Sequence, residues 1–173
     1  HSARLSAWSG PVSRFPEPRD FQIRAHESLR AGFASGSRKQ VLCSPTGSGK
    51  TYIGMRLIQQ ALERGKRACF VCDRITLVDQ TSAVADQYGL TDHGVIMAKH
   101  WRNRAGAPFQ IVSAQTMARR EWMGFDLIVI DECHTFNKGW VDHVKTTSAA
   151  VIGLSATPFA KGMGKIFSGL VTA

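Results

Sequence analysis

Residues 43–54 read Cys-Ser-Pro-Thr-Gly-Ser-Gly-Lys-Thr-Tyr-Ile-Gly, directly after the short apolar stretch Lys39-Gln-Val-Leu42. A phosphate chain is densely anionic, and holding it needs backbone N–H groups turned inward at close range. Gly47 and Gly49 permit that approach and the dihedrals it requires. A helix opening at Thr51 aims its positive dipole end at the same phosphates. Lys50 adds a point charge for the β- and γ-phosphates, and the Thr51 hydroxyl suits Mg²⁺. Ser44, Pro45, Thr46, Gly47, Ser48, Gly49, Lys50 and Thr51 thus form a P-loop, with Ser44 standing where the general pattern has its first glycine. A structural Gly-rich turn would not explain the lysine.

A second chemical feature lies at 127–134, Leu-Ile-Val-Ile-Asp-Glu-Cys-His. Asp131 and Glu132 follow a buried strand. Asp131 suits a contact to Mg²⁺ and Glu132 suits positioning and deprotonating an attacking water. With the P-loop they make ATP hydrolysis the expected chemistry. A nucleotide kinase would need an acceptor pocket and a lid, and the sequence shows neither.

These residues need elements to position them, and the chain repeats one pattern: apolar run, loop, amphipathic helix. Phe21, Ala25, Leu29 and Phe33 recur every four residues and predict a helix. Residues 39–44 predict a strand. Thr51 to Arg64 is the next helix, with Ile53, Leu57, Ile58, Ala61 and Leu62 on one stripe and Gly65 as its stop. Arg67–Asp73 is a strand, and Leu77 to Tyr88 a helix ended by Gly89. Residues 94–98, 109–114, 125–132 and 149–157 are further strands. Runs that are apolar throughout belong to a parallel sheet covered on both faces. The expected fold class is therefore α/β, a doubly wound and mostly parallel sheet whose ligands bind beyond the strands' carboxyl ends. Residues 1–17 read as an irregular arm and 18–173 as one domain.

Composition sets outer bounds. Lys plus Arg is 22 against 13 for Asp plus Glu, giving a net charge of +9 over 173 residues. Such a surface favours nucleic acid. No apolar run is long enough to span a bilayer, and the N-terminal residues lack a signal-peptide core, so a cytoplasmic or nucleoid-associated setting is expected. Cys69 and Cys72 form a C-x-x-C within a strand. A spacing of three sends their side chains to opposite faces, which favours two core thiols over a metal or redox pair.

Ser-Pro-Thr-Gly-Ser-Gly-Lys-Thr at 44–51, Asp-Glu-Cys-His at 131–134 and Leu-Ser-Ala-Thr-Pro at 154–158, in that order, resemble motifs I, II and III of superfamily 2 helicases and translocases. Residues 70–80 resemble the family's motif Ia, 111–117 its next DNA-facing segment, and 18–22 its upstream glutamine motif. The resemblance covers residues 18 to about 160 and implies a RecA-like P-loop domain. Cys133 and His134 replace the Ala-Asp of the DEAD-box branch. The wording is closer to the DNA-directed DExH members of repair and restriction motors.

The resemblance also implies roles for single residues. Gln22 would read the adenine edge, since an amide both donates and accepts. Arg19 would pack near the base, and Trp8 and Phe15 are the candidates for stacking on it. Lys50, Asp131 and Glu132 would carry hydrolysis, with Thr51 and Asp131 holding Mg²⁺. Arg74, Gln115 and Thr116 would touch strand phosphates, contacts that position without reading sequence. His134 would link the hydrolysis site to Ser155 and Thr157. Lys99, Arg102, Arg104, Arg119 and Arg120, with Trp101 and Trp122, would extend the nucleic-acid track if they are not simply solvated surface. The family's motor closes ATP between two RecA-like domains, the second supplying an arginine finger. The implied partners are DNA, ahead of RNA, and a second RecA-like domain of the same parent chain. The isolated domain would be weakly active at best. The alternatives are a restriction-enzyme motor moving on duplex DNA, an RNA helicase, and a nucleotide-regulated module that does not hydrolyse.

Overall fold

The computed structural model describes residues 15–44, 49–97, 100–118, 124–135, 138–156 and 166–172. In chain order the elements are α1 (Asp20–Ala34), β1 (Lys39–Cys43), α2 (Lys50–Glu63), β2 (Ala68–Cys72), α3 (Val78–Gln87), β3 (Gly94–Ile96), β4 (Phe109–Ser113), α4 (Ala114–Met117), β5 (Leu127–Ile130), α5 (Lys138–Thr146), β6 (Ala150–Ser155) and β7 (Gly169–Thr172). Short 3₁₀ turns at Ile75–Leu77 and Cys133–Thr135 precede α3 and α5. The strands form one sheet in the order β3-β4-β2-β5-β6-β1-β7. Every neighbouring pair runs parallel, so all the strands' carboxyl ends open on one edge.

Period-two alternation sorts the apolar runs onto two faces. Leu42, Phe70, Val129, Ile152 and Leu154 pack under α1, α2 and α3, joined by Leu29, Ile53, Met55 and Ile58. Val41, Val71, Ile128, Ile130 and Val151 face the other way, against Met117, Trp140 and Val144 of α4 and α5. Cys69 belongs to the second cluster and Cys72 to the first, as the strand spacing requires. Burial pushes the Cys72 thiol up to about 12, and all four cysteines are free, buried thiols.

The predicted helices and strands are present with small shifts. The phosphate-loop helix begins at Lys50 rather than Thr51 and ends at Glu63, with Gly65 at φ +73° just beyond. The strand at 94–98 is shorter than its apolar run and stops at Ile96. The helix expected from Leu77 starts as a 3₁₀ turn and becomes α-helical at Val78. α4, α5 and β7 carried no clear sequence signal. No helix among the described residues is long and apolar enough to cross a membrane.

Candidate nucleotide site and its link to the nucleic-acid face

The sheet order puts β6 between β1 and β5. The loops after β1 and β5 therefore emerge two strands apart at the same edge. Ser44 leaves β1 buried, its N–H donating to the Ser155 carbonyl at 3.0 Å, which ties the start of the phosphate loop to the end of β6. Gly49 has φ +83°, a left-handed conformation that favours glycine, and caps α2. A Cβ at Gly49 would run into the Gln22 side-chain amide. Glycine here lets α1 and the phosphate loop meet.

Lys50 lies on the first turn of α2, and its Nζ stands 3.4 Å from Glu132 Oε1. The lysine side chain is only 12% exposed. Thus the two segments singled out in the sequence, 82 positions apart, share one ion pair. Asp131 Oδ1 accepts the Glu132 N–H at 3.0 Å. Burial, then the Glu132 carboxylate, raise the Asp131 carboxyl above its ordinary value, while Lys50 works in the opposite sense. A desolvated carboxylate beside a second carboxylate is an arrangement that a divalent cation relieves. The donor chemistry of Asp131 with the Thr51 hydroxyl therefore fits Mg²⁺.

The acidic turn is held down from below. Glu132 has φ +52°, the one left-handed non-glycine among the described residues. Cys133 beneath it is fully buried, and burial pushes its thiol up to about 12. A Cβ on Gly153 of β6 would sit 2.6 Å from Cys133 Sγ and 3.0 Å from Phe167 Cζ. Only glycine at 153 allows the turn to settle this close to the sheet.

On the other side of Gly49, Gln22 is buried and its Oε1 accepts the Arg19 N–H at 2.9 Å. Its amide nitrogen faces the phosphate loop. A cavity of about 220 Å³ opens beside it, lined among others by Pro18, Gln22, His26, Tyr52 and Arg56. Arg19 lies 6.0 Å from the Phe21 ring centroid. Phe15 is not a free stacking platform. Its ring stacks on Tyr88 at 4.8 Å, meets Tyr52 edge-on at 5.6 Å and lies under Arg56.

The residues expected on nucleic acid gather next to the acidic turn. β2 neighbours both β4 and β5, so the loops after these strands touch. Gln115 Nε2 donates to the Asp73 carbonyl at 3.0 Å. Thr116 is fixed by Ser113, whose Oγ accepts the Thr116 N–H at 3.1 Å and donates to Thr116 Oγ1 at 3.0 Å. Arg74 is 74% exposed, with its Nε 3.7 Å from Asp73 Oδ2. Asp73 lies in the 70–80 segment that resembles motif Ia, and Thr135, which no motif marked, places its Oγ1 2.9 Å from Asp73 Oδ1.

Part of the proposed basic track does not survive. Arg102 donates to Asp86 Oδ2 at 2.8 Å and packs on His93, and its guanidinium lies 4.5 Å from the Trp101 ring centroid. Arg104 pairs with Asp92 at 3.0 Å. The Arg102 charge is matched within the domain, whereas the Arg104 pair lies at the surface. Trp101 remains 79% exposed, beside a cavity lined by Asp79 and Asp86, which are engaged by His100 and Arg102. Pro45, Thr46, Gly47, Ser48, Thr157, Trp8, Lys99, Arg119, Arg120 and Trp122 lie outside the described residues, as does the side chain of His134.

The family model described as type III restriction enzyme, res subunit, matches residues 15–160. The chain belongs to that family. A type I restriction enzyme EcoAI endonuclease subunit from Escherichia coli is 30% identical over 160 residues, 82% of this chain. The chain spans about a fifth (19%) of that relative's length. Among solved structures, the UvsW helicase of bacteriophage T4 superposes with a TM-score of 0.77 at 18% identity, covering 99% of this chain and 66% of that one. The Sulfolobus solfataricus SWI2/SNF2 ATPase core in complex with dsDNA gives 0.69 at 16% identity, over 86% and 34%. The seven-stranded parallel sheet is that of a superfamily 2 RecA-like domain, in a family of helicase- and ATPase-type enzymes.

Proposed function

We propose that this domain is the ATP-hydrolysing first motor domain of a superfamily 2 DNA translocase, and that its parent moves along duplex DNA in the manner of a restriction motor. The observation that carries the proposal is the 3.4 Å approach of Lys50 to Glu132, which joins the phosphate loop to the acidic turn. In this scheme the phosphates take Lys50 from Glu132. The freed Glu132 carboxylate then orients a water and accepts its proton as the water attacks the γ-phosphorus. Thr51 and Asp131 would hold Mg²⁺, which neutralises charge on the β- and γ-oxygens. The N–H groups of the Ser44–Thr51 loop would bind the phosphates, and Gln22, Arg19 and the 220 Å³ cavity would take the base. Arg74, Gln115 and Thr116 would hold the backbone of the polymer, while His134, Ser155 and Thr157 would report nucleotide state to it. A second RecA-like domain would complete the site.

Duplex DNA is favoured by the restriction-enzyme family and by a fold neighbour solved on dsDNA. A strand-separating helicase is the second reading, supported by the likeness to UvsW. ATPase rates of the full-length parent with duplex DNA, single-stranded DNA and RNA test the proposal. Stimulation by duplex is expected. Stimulation by RNA alone would overturn the DNA assignment, and single-stranded DNA alone would favour strand separation.

A further inference from the structure

Three segments meet at Asp73, and each of its polar groups is engaged by a different one. Its backbone carbonyl accepts Gln115 Nε2 at 3.0 Å, from α4, which directly follows β4. Its Oδ2 faces Arg74 Nε at 3.7 Å, on the loop after β2. Its Oδ1 lies 2.9 Å from Thr135 Oγ1, on the turn after β5 that carries Asp131 and Glu132. The Asp73 side chain is 16% exposed, while its partners Arg74, Gln115 and Thr135 stand in contact with solvent.

Thr135 has a second acceptor within reach. Its Oγ1 is also 3.0 Å from the Glu132 carbonyl. One hydroxyl carries one proton and donates to one acceptor at a time. Either the proton goes to Asp73 and ties the acidic turn to the loops of Arg74 and Gln115, or it goes back to Glu132 and the tie is released. Thr135 N–H also donates to the Glu132 carbonyl, at 3.1 Å. That turn contains the left-handed φ of +52° at Glu132, a conformation strained for a non-glycine residue. The hydroxyl can thus serve either acceptor, and what Glu132 binds on one side and what Arg74 and Gln115 bind on the other would bias that choice.

We infer that the Thr135 hydroxyl, shared between Glu132 and Asp73, couples the nucleotide site to the nucleic-acid-facing loops. Thr135 and Asp73 are positioning residues, touching neither nucleotide nor polymer. The inference rests on the motor function proposed above. Linkage requires that the coupling be reciprocal in binding. Nucleic acid should tighten the grip on a non-hydrolysable ATP analogue, and the analogue should tighten the grip on nucleic acid by the same factor.

The test compares the full-length protein with Thr135→Val, Thr135→Ser and Asp73→Ala. Valine keeps the shape and loses the donor, serine keeps the donor, and alanine at 73 removes the acceptor while leaving every residue of the acidic turn in place. Analogue affinity and ATPase rate are measured with and without a duplex oligonucleotide. Thr135→Val and Asp73→Ala should lose about fivefold or more of the nucleic-acid effect on both readouts, with basal hydrolysis retained. Thr135→Ser should behave as wild type. Should Thr135→Val fail to fold, Asp73→Ala carries the same comparison. Full stimulation in both disrupting variants would overturn the coupling alone. A wild-type protein indifferent to every nucleic acid would overturn the motor function itself.

Discussion

Replacing Gly153 with alanine should disable the acidic turn from a distance. The new Cβ would stand 2.6 Å from Cys133 Sγ and 3.0 Å from Phe167 Cζ, where ordinary contact begins near 3.4 Å. Cys133 must then retreat by about 0.8 Å, and β6 cannot yield, because it is paired along its length with β1 and β5. Overpacking of this kind costs about 1–3 kcal/mol. The displaced residue directly follows Glu132, so the error passes to the carboxylate beside Lys50. A misplacement near 1 Å reduces a reaction that depends on orientation by about 100-fold. Gly153→Ala should therefore melt several degrees lower and lose most of its ATPase activity, while still binding nucleotide through the intact phosphate loop. Cys133→Ala added to Gly153→Ala removes the worst contact and should recover part of both losses. Thermal unfolding and steady-state hydrolysis, read on the four proteins of this cycle, check it. A Gly153→Ala protein that melts and hydrolyses like wild type would refute the claim that β6 positions the turn.

Three further outcomes follow from the charges. The Asp131 carboxyl is raised above 3.8 in the fold by burial first and then by Glu132. Its stabilising share is therefore present below 3.8 and lost as pH rises through the folded value. Asp131→Asn should raise the melting temperature at pH 7, lose that advantage toward pH 4 and abolish turnover; a lower melting temperature at pH 7 would contradict this. His26, His93 and His143 are all held below 6.5, by burial first in each case. The unfolded chain takes up these protons before the folded one does. Stability should be full above pH 6.5 and fall as the pH drops below it, and a melting temperature that stays flat on acidification from pH 6.5 would count against it. Nucleic-acid affinity should drop steeply with salt, since contacts through Arg74 and its neighbours release counterions. A titration indifferent to ionic strength would reject a phosphate track.

The chemistry was legible in the sequence wherever it is local. Ser44–Thr51, proposed for phosphate binding, is one contiguous run of sequence, so its glycines, lysine and threonine could be read together without the fold. The buried strands were legible because runs such as Leu127–Ile130 are apolar throughout. α5 was not, since Trp140 and Val144 are its only fully buried side chains of known placement. β7 was not, because it is a four-residue edge strand with none of its residues buried, so no apolar run marks it. Arg102 was misjudged as part of a basic track because its partners, Asp86 and His93, become neighbours only when the β3–β4 loop folds back on α3. Thr135 and Asp73 stand 62 positions apart and meet only because β2 lies beside β5. No spacing rule marks such a pair.

The central claim is that Lys50 and Glu132 belong to one site with different tasks. Binding of an ATP analogue with Mg²⁺, and turnover of ATP under nucleic-acid stimulation, should be measured together on the full-length protein, on Lys50→Ala and on Glu132→Gln. Lys50→Ala is expected to lose binding, and Glu132→Gln to keep binding while losing turnover. Unchanged turnover in Glu132→Gln, or unchanged nucleotide affinity in Lys50→Ala, would contradict the account.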